Sequence, residues 1–277
     1  MTGYLHPELS ARRRLIEAHL EDLLADCPGS EGGRVREAMR YAVLGGGQRF
    51  RPLLSLLVAD VLGAENARVL RAALSVELLH CASLIVDDLP CMDDEALRRG
   101  RPSTHVAFGE PVALLAAFSL VALAARCVLN LPSSPRELPV LVDFQQDLLK
   151  VLDCDALVAG QAMDLALSGA SREQARARMN ELKTAPLFLL AVRAGTLFAR
   201  LTADRRRALE RFGRAFGLAF QTTDDYLDDE LQDLGEVTRT IGHARDLLVP
   251  FADPGRGPHL LLDYLYARAS EKDHCYR

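Results

Sequence analysis

Asp87, Asp88, Asp93, Asp94 and Glu95 crowd five acids into nine residues, directly behind the apolar stretch 78–86. Like charges a few ångströms apart repel by roughly 1 kcal/mol per pair even in water, so such a cluster needs a solvated helix end or a cation. A second cluster, Asp224-Asp225-Tyr226-Leu227-Asp228-Asp229-Glu230, follows the equally apolar Phe216-Gly217-Leu218-Ala219-Phe220. Two acid groups, each ending a core segment, favour a cation held between them. On an ideal helix Asp224 and Asp228 lie about 40° apart and Gln221 about 60° to the other side of Asp224, so the three share a face. Asp87 and Asp93 would stand about 240° apart, too far to meet one ion unless Pro90 distorts the helix and brings Asp93 round. His80 falls within about 20° of Asp87 and projects to the same side.

Carboxylate oxygens are hard donors suited to Mg2+, which keeps several waters and commonly bridges protein carboxylates to substrate phosphates. A diphosphate is the natural third party: the metal would neutralise it and make it a better leaving group. What remains after departure is a carbocation, and an allylic one survives among apolar walls with water excluded. Arg98-Arg99-Gly100 follows the first cluster, and Gly45-Gly46-Gly47-Gln48-Arg49-Phe50-Arg51-Pro52 joins a glycine turn to arginines at a helix start. Guanidinium groups clamp phosphates in bidentate fashion, and a glycine turn lets backbone N–H groups approach an anion, although neither feature is specific alone.

The elements that must carry these residues are helices. Periodicity near 3.6 residues recurs over 9–24, 34–44, 52–62, 66–89, 112–129, 138–152, 155–167, 171–201 and 204–231, and no convincing period-two alternation is found. The class is all-α. Pro28-Gly29-Ser30, Gly45-Gly46-Gly47, Leu131-Pro132-Ser133-Ser134-Pro135 and the segment 250–258 separate the helices, and none is long enough for an interdomain linker. Residues 1–277 are therefore expected to form a single domain, with a short C-terminal part from about residue 231. Ser171 and Thr202 are the expected helix caps.

Composition excludes several partners. The 33 basic against 38 acidic residues give −5 without a basic run, which argues against nucleic acid. Only Lys150, Lys183 and Lys272 are lysines. The six scattered cysteines form no C-x-x-C pair and the start MTGYLHPELSARRRL has no signal pattern, so reduced thiols in a cytoplasmic chain are expected. The apolar run 112–125 falls short of the ~20 residues of a membrane span and predicts a helix buried on all sides.

Taken together, these residues resemble the trans-isoprenyl diphosphate synthases, such as farnesyl and geranylgeranyl diphosphate synthase. The resemblance rests on Gly46 to Pro52 (family G-G-K-R-x-R-P), His80 to Gly100, Gly160-Gln161-Ala162-Met163-Asp164-Leu165, Lys183-Thr184 and Gly217 to Asp228, in the family's order. It implies an isoprenoid synthase-type helical bundle with a central apolar cavity, Mg2+ as cofactor and a homodimer. By the same resemblance Asp87, Asp93 and Asp224 would hold Mg2+, with Asp88, Asp225 and Asp228 in support. Arg98, Lys183, Thr184 and Gln221 would contact an allylic prenyl diphosphate, while Arg51, Arg99 and His80 would hold isopentenyl diphosphate. In the family chemistry the isopentenyl double bond attacks the allylic cation and a proton is lost to the departing diphosphate. Ala82 and Ser83, small residues just ahead of the first cluster, imply a product of about C20 or longer.

The chain departs from the family in three ways. Gln48 stands where the family has lysine, Leu234-Gly235-Glu236 replaces Leu-Gly-Lys, and the part leading to the last helices is shortened. Arg239 is one candidate replacement for a missing lysine. Two other readings stay open: a diverged subunit that binds prenyl diphosphates without efficient turnover, and a class I terpene cyclase, although the N-D-x-x-S-x-x-x-E pattern of such cyclases is not found.

Overall fold

Recurring apolar positions spaced at a helical period become twelve helices among the residues described by this computed structural model, which are 6–25, 32–64, 66–131, 134–167, 169–251 and 256–275. In chain order they are α1 (Pro7–Ala25), α2 (Gly33–Leu44), α3 (Phe50–Val61), α4 (Asn66–Asp87), α5 (Thr104–Phe108), α6 (Glu110–Leu129), α7 (Leu138–Lys150), α8 (Leu157–Ala166), α9 (Gly169–Thr196), α10 (Ala203–Leu227), α11 (Leu234–Leu248) and α12 (His259–Cys275). The all-α expectation holds, with one addition. A hairpin of two-residue strands, β1 (Leu97–Arg98) and β2 (Arg101–Pro102), lies between α4 and α5. Its turn residues Arg99 and Gly100 both have positive φ, 55° and 74°, as a tight hairpin turn demands. Strands this short carry no alternation to read. The expected breaker at Pro28-Gly29-Ser30 lies outside the described residues.

α9 is the hub: it packs on α3, α4, α8 and α10. One hydrophobic cluster runs from Leu9 of α1 through α4 and α10 to Ala269 of α12. Phe188 of α9 and Phe216 and Phe220 of α10 stack with ring centroids 5.0–5.2 Å apart, and Phe50 and Tyr264 extend the group. Burying aromatic rings of this size supplies much of a core's free energy.

Local signals explain several boundaries. Thr202 caps α10 as expected, its hydroxyl accepting from the Arg205 N–H at 3.3 Å. Ser171 does not cap α9, because the helix has already begun at Gly169. The expected continuous helix over 66–89 stops at Asp87, and the backbone N–H of Asp93 donates to the Asp87 carbonyl at 2.9 Å. A turn around Pro90 thus replaces the regular helix and returns Asp93 to Asp87.

The expectation that α6 is buried on all sides is contradicted. Leu115, Phe118 and Leu129 are 53%, 65% and 71% exposed. An apolar sequence prefers to leave water, but it does not specify whether its own chain provides the cover. α6 also extends beyond the run 112–125, and both Glu110–Leu129 and Ala67–Asp87 are long and apolar enough to cross a membrane by length and composition alone. The second of these is mostly core.

Arg49 is the most demanding residue of the glycine-turn segment. It sits at φ 57°, a left-handed conformation costly for a side chain, and is fully buried. Its guanidinium donates to Glu17 at 2.8 and 3.0 Å, to Glu77 at 2.7 Å and to the Val43 carbonyl at 2.5 Å. It therefore ties α1, α2 and α4 to the start of α3. Arg49→Ala would leave buried Glu77 without its partner, so a loss of about 3–5 kcal/mol is expected in denaturant unfolding, and an unchanged midpoint would contradict this assignment.

Candidate active site

Adjacent residues of α9 reach toward the two acid clusters. Lys183 is the main opposing charge felt by Asp87 and pairs with Asp164 of α8 at 2.6 Å. Thr184 donates to the Gln221 side-chain oxygen on α10 at 2.6 Å. Gly160 permits the α8 approach: a Cβ there would stand 2.8 Å from Lys183 Cγ and 3.1 Å from its backbone nitrogen. Pro186, two residues beyond Thr184, lies inside α9 and removes a donor from that turn.

In the first cluster Asp87 is partly buried at the end of α4, and burial pushes its carboxyl up to about 6, aided by Asp93 and Asp88 and opposed by Lys183 and Arg98. Asp93 accepts from the Gln161 side-chain amide at 2.8 Å. Asp88 is buried and held by Arg98, whose Nε donates to it at 2.9 Å. In the second cluster Asp224 is likewise pushed up to about 6, first by burial and then by Asp228, with Arg268 and Arg51 opposing. Asp228 is the C-terminal cap residue of α10. Asp225 turns aside, accepting from Gln221 at 2.6 Å and from Asn180 at 3.3 Å.

A group of cations acts on both clusters. Arg51 is buried over the Phe188 ring at 4.7 Å, and its Nε has no hydrogen-bond partner. Burial lowers its guanidinium to about 10, with Glu77, Cys81 and Asp224 acting in the opposite direction. His80 is driven well below the usual range by burial and by Arg51, Arg99, Arg49 and Arg98, so its ring is neutral near pH 7. Arg99 donates to the Gly46 carbonyl and lies where a Cβ on Gly47 would stand, 2.7 Å from the guanidinium carbon. Gly47, at φ 124°, is required by both backbone and space. Arg98 acts on both Asp87 and His80, and Arg51 on both His80 and Asp224, so one electrostatic neighbourhood links the acid groups.

Two cavities border these residues. One of about 330 Å3 is walled by Ala82, Ser83, Val86, Met92 and Phe118 and has Asp87 and Gln161 on its border. A larger one, about 710 Å3, lies among α9, α10 and α11 and is bordered by Thr184, Gln221 and Asp225, but by neither Asp87 nor Asp224. The apolar cavity is the one that can take a hydrocarbon beside an acid cluster. Thr184, Gln221 and Asp225 thus lie on α9 and α10 without facing it.

Arg239, a candidate to replace a missing lysine, is 69% exposed and paired with Asp233 at 3.2 Å. The cations that meet the second acid cluster come instead from α12. Arg268 lies 3.4 Å from Asp224, and Lys272 donates to the Tyr226 and Leu227 carbonyls and to Asp229 at 2.7–2.9 Å. Sequence reasoning missed these two, and it quoted Gln161 and Asp164 only as part of a motif.

A helical bundle with paired aspartate clusters beside an apolar cavity is the isoprenoid synthase type of fold. The polyprenyl synthetase family model matches residues 33–236. The chain is 36% identical over 222 residues to geranylgeranyl pyrophosphate synthase 12, chloroplastic, of Arabidopsis thaliana, covering 78% of this chain and 62% of that protein. It is 38% identical over 218 residues to the chloroplastic geranylgeranyl pyrophosphate synthase of Capsicum annuum, covering 78% of this chain and 58% of the relative. Such curated relatives are thus matched over less than two thirds of their length. Among solved structures, a geranyltransferase from Legionella pneumophila superposes with a TM-score of 0.84 at 32% identity, covering 95% of this chain and 96% of that one. An FPP/GFPP synthase from Zymomonas mobilis gives 0.84 at 31%, covering 93% and 99%. The chain belongs to the polyprenyl synthetase family.

Proposed function

We propose that the chain is a Mg2+-dependent prenyltransferase that condenses an allylic prenyl diphosphate with isopentenyl diphosphate to a product of about C20. The observation that carries this reading is the apolar cavity with Asp87 and Gln161 on its border. A ligand with a polyanionic head and a hydrocarbon tail matches that pairing, and the names of the relatives support the length.

The donor set fits Mg2+. Asp87, Asp93, Asp224 and Asp228 offer hard oxygens, and the burial that pushes Asp87 and Asp224 up to about 6 is a penalty that a divalent cation relieves. Mg2+ commonly completes its shell with water and substrate phosphate oxygens, so one or two protein carboxylates can be enough to hold it. When bound, the metal neutralises the diphosphate and makes it a better leaving group. Lys183 and Arg98 bind the allylic diphosphate beside Asp87, while Thr184 and Gln221, which border the other cavity, hold each other across α9 and α10. Arg51, Arg99 and neutral His80 hold isopentenyl diphosphate, and the walls around Ala82 exclude water from the cation.

The test supplies Mg2+, dimethylallyl, geranyl or farnesyl diphosphate and labelled isopentenyl diphosphate, then identifies the products. Elongated diphosphates are expected. Hydrocarbon formed without isopentenyl diphosphate would make the chain a cyclase, and binding without product would make it a diverged subunit.

The chain also reads as a single domain, supported by the hydrophobic cluster shared from α1 to α12. Free thiols at Cys81, Cys91 and Cys154 suit a reducing cytoplasm. We further read it as a homodimer. Phe118 and Leu165 line the apolar cavity yet are 65% and 50% exposed, so a second copy seated on this face would complete the shield against water. Sedimentation at micromolar concentration should give twice the mass of one chain; a single-chain mass would contradict it.

A further inference from the structure

Three arginines sit on the hairpin that follows the first acid cluster, and each docks on a different part of the bundle. Arg98 pairs with Asp88 just past the end of α4, and Arg99 donates to the Gly46 carbonyl of the glycine turn. Arg101 lies over the Tyr41 ring of α2, its guanidinium carbon 4.3 Å from the ring centroid. Two strands of two residues each cannot hold a hairpin in place by their own ladder. Arg98 and Arg101 are also cross-strand partners, so two like charges share one face and repel. The position of the hairpin therefore comes from what it docks on. Arg98 has the Asp88 carboxylate to offset its charge, and Arg101 has the π face of Tyr41.

Tyr41 grips the second strand at more than one point. Its hydroxyl donates to the Pro102 carbonyl at 2.8 Å, and its ring meets Phe108, just beyond the hairpin, edge to face with centroids 5.3 Å apart. Gly45, the residue that ends α2 one turn later, clears the way for Arg101: a Cβ there would stand 3.2 Å from its Nη1. The gap left between the hairpin and the helices beneath it, bordered by Tyr41, Cys81, Arg98 and Arg101, is about 30 Å3, room for little more than a water. The fit is close on every side.

We propose that Tyr41 and Arg101 form a clasp that positions the hairpin, so that Arg98 is presented to the allylic diphosphate and Arg99 to isopentenyl diphosphate at the same time. This rests on the prenyltransferase reading and deepens it. One hairpin carries a guanidinium for each substrate, and loosening it weakens the hold on both. Tyr41 and Arg101 act through their neighbours and are positioning residues.

Tyr41→Leu removes the ring face and the hydroxyl while keeping an apolar side chain on α2. It is expected to raise the calorimetric Kd for isopentenyl diphosphate and for geranyl thiodiphosphate together, each by about 5- to 20-fold. Arg101→Ala should weaken both in the same way, and the double variant should bind about as Tyr41→Leu does, because the two side chains meet in one contact. Tyr41→Phe, which keeps the ring face, should recover most of the loss. Arg101 is exposed, so Arg101→Ala decides the matter where Tyr41→Leu fails to fold. Weaker binding of both diphosphates in the variants, with no elongated product from wild type, upholds the clasp and rejects the prenyltransferase reading. Unchanged Kd values in Arg101→Ala, a loss confined to one diphosphate, fully additive losses in the double variant, or a wild type that binds neither diphosphate would overturn it.

Discussion

Replacing Asp87 by asparagine is expected to cost at least about 10²–10³-fold in kcat while making the metal-free chain more stable. Both effects have one cause. Burial, with Asp93 and Asp88 beside it, pushes Asp87 from 3.8 up to about 6. An acid whose folded pKa is raised contributes stability at pH values below its unfolded pKa and loses that contribution as pH rises through the folded value. The metal-free protein should therefore weaken between about pH 4 and pH 6, through Asp224 as well. Above that window Asp87→Asn removes the penalty without changing shape, and a rise in Tm of about 2–4 °C in chelator at pH 8 is expected. The advantage should shrink toward pH 4, and saturating Mg2+ should stabilise wild type more than the variant. Retained activity, or a lower Tm in chelator, would remove the argument that Asp87 is held under strain for a cation.

Ala82→Phe should shorten the product from about C20 to C15 or less. Ala82 is buried on α4 and lines the apolar cavity five residues before Asp87, about 7.5 Å down the helix. A phenyl ring there would occupy the space a growing chain needs. The cavity can accept the ring, so the stability cost should stay below the about 1–3 kcal/mol of a true overpacking. Turnover of short allylic substrates should survive, because neither the acids nor the cations are touched. Chromatography of the dephosphorylated products reads the outcome directly. An unchanged product would mean that the tail does not run past Ala82.

What the sequence made legible follows from how local each feature is. Asp224 and Asp228 share a face of α10 because a regular helix carries both, and periodicity alone determines that. Asp93 was harder: its place depends on the turn after Asp87, and only Pro90 hinted that the helix ends there. The hairpin at Leu97–Pro102 left no trace, because two-residue strands have no period. Ser171 offered a cap chemistry that α9 did not use. α6 illustrates a different limit, since its composition announces burial without naming what covers Phe118. Arg268 lay furthest from view, because its contact with Gln48 closes over 220 residues and depends on how α12 returns to the bundle.

The account stands on the acid clusters of α4 and α10 sharing one ligand. A crystal structure of the chain with Mg2+ and an unreactive allylic thiodiphosphate tests that most directly. Asp87 and Asp93 on one side and Asp224 on the other should reach the same diphosphate through metal, with the hydrocarbon tail passing Ala82 and Ser83. A ligand bound elsewhere, or Asp87 and Asp224 left facing separate solvent, would contradict it.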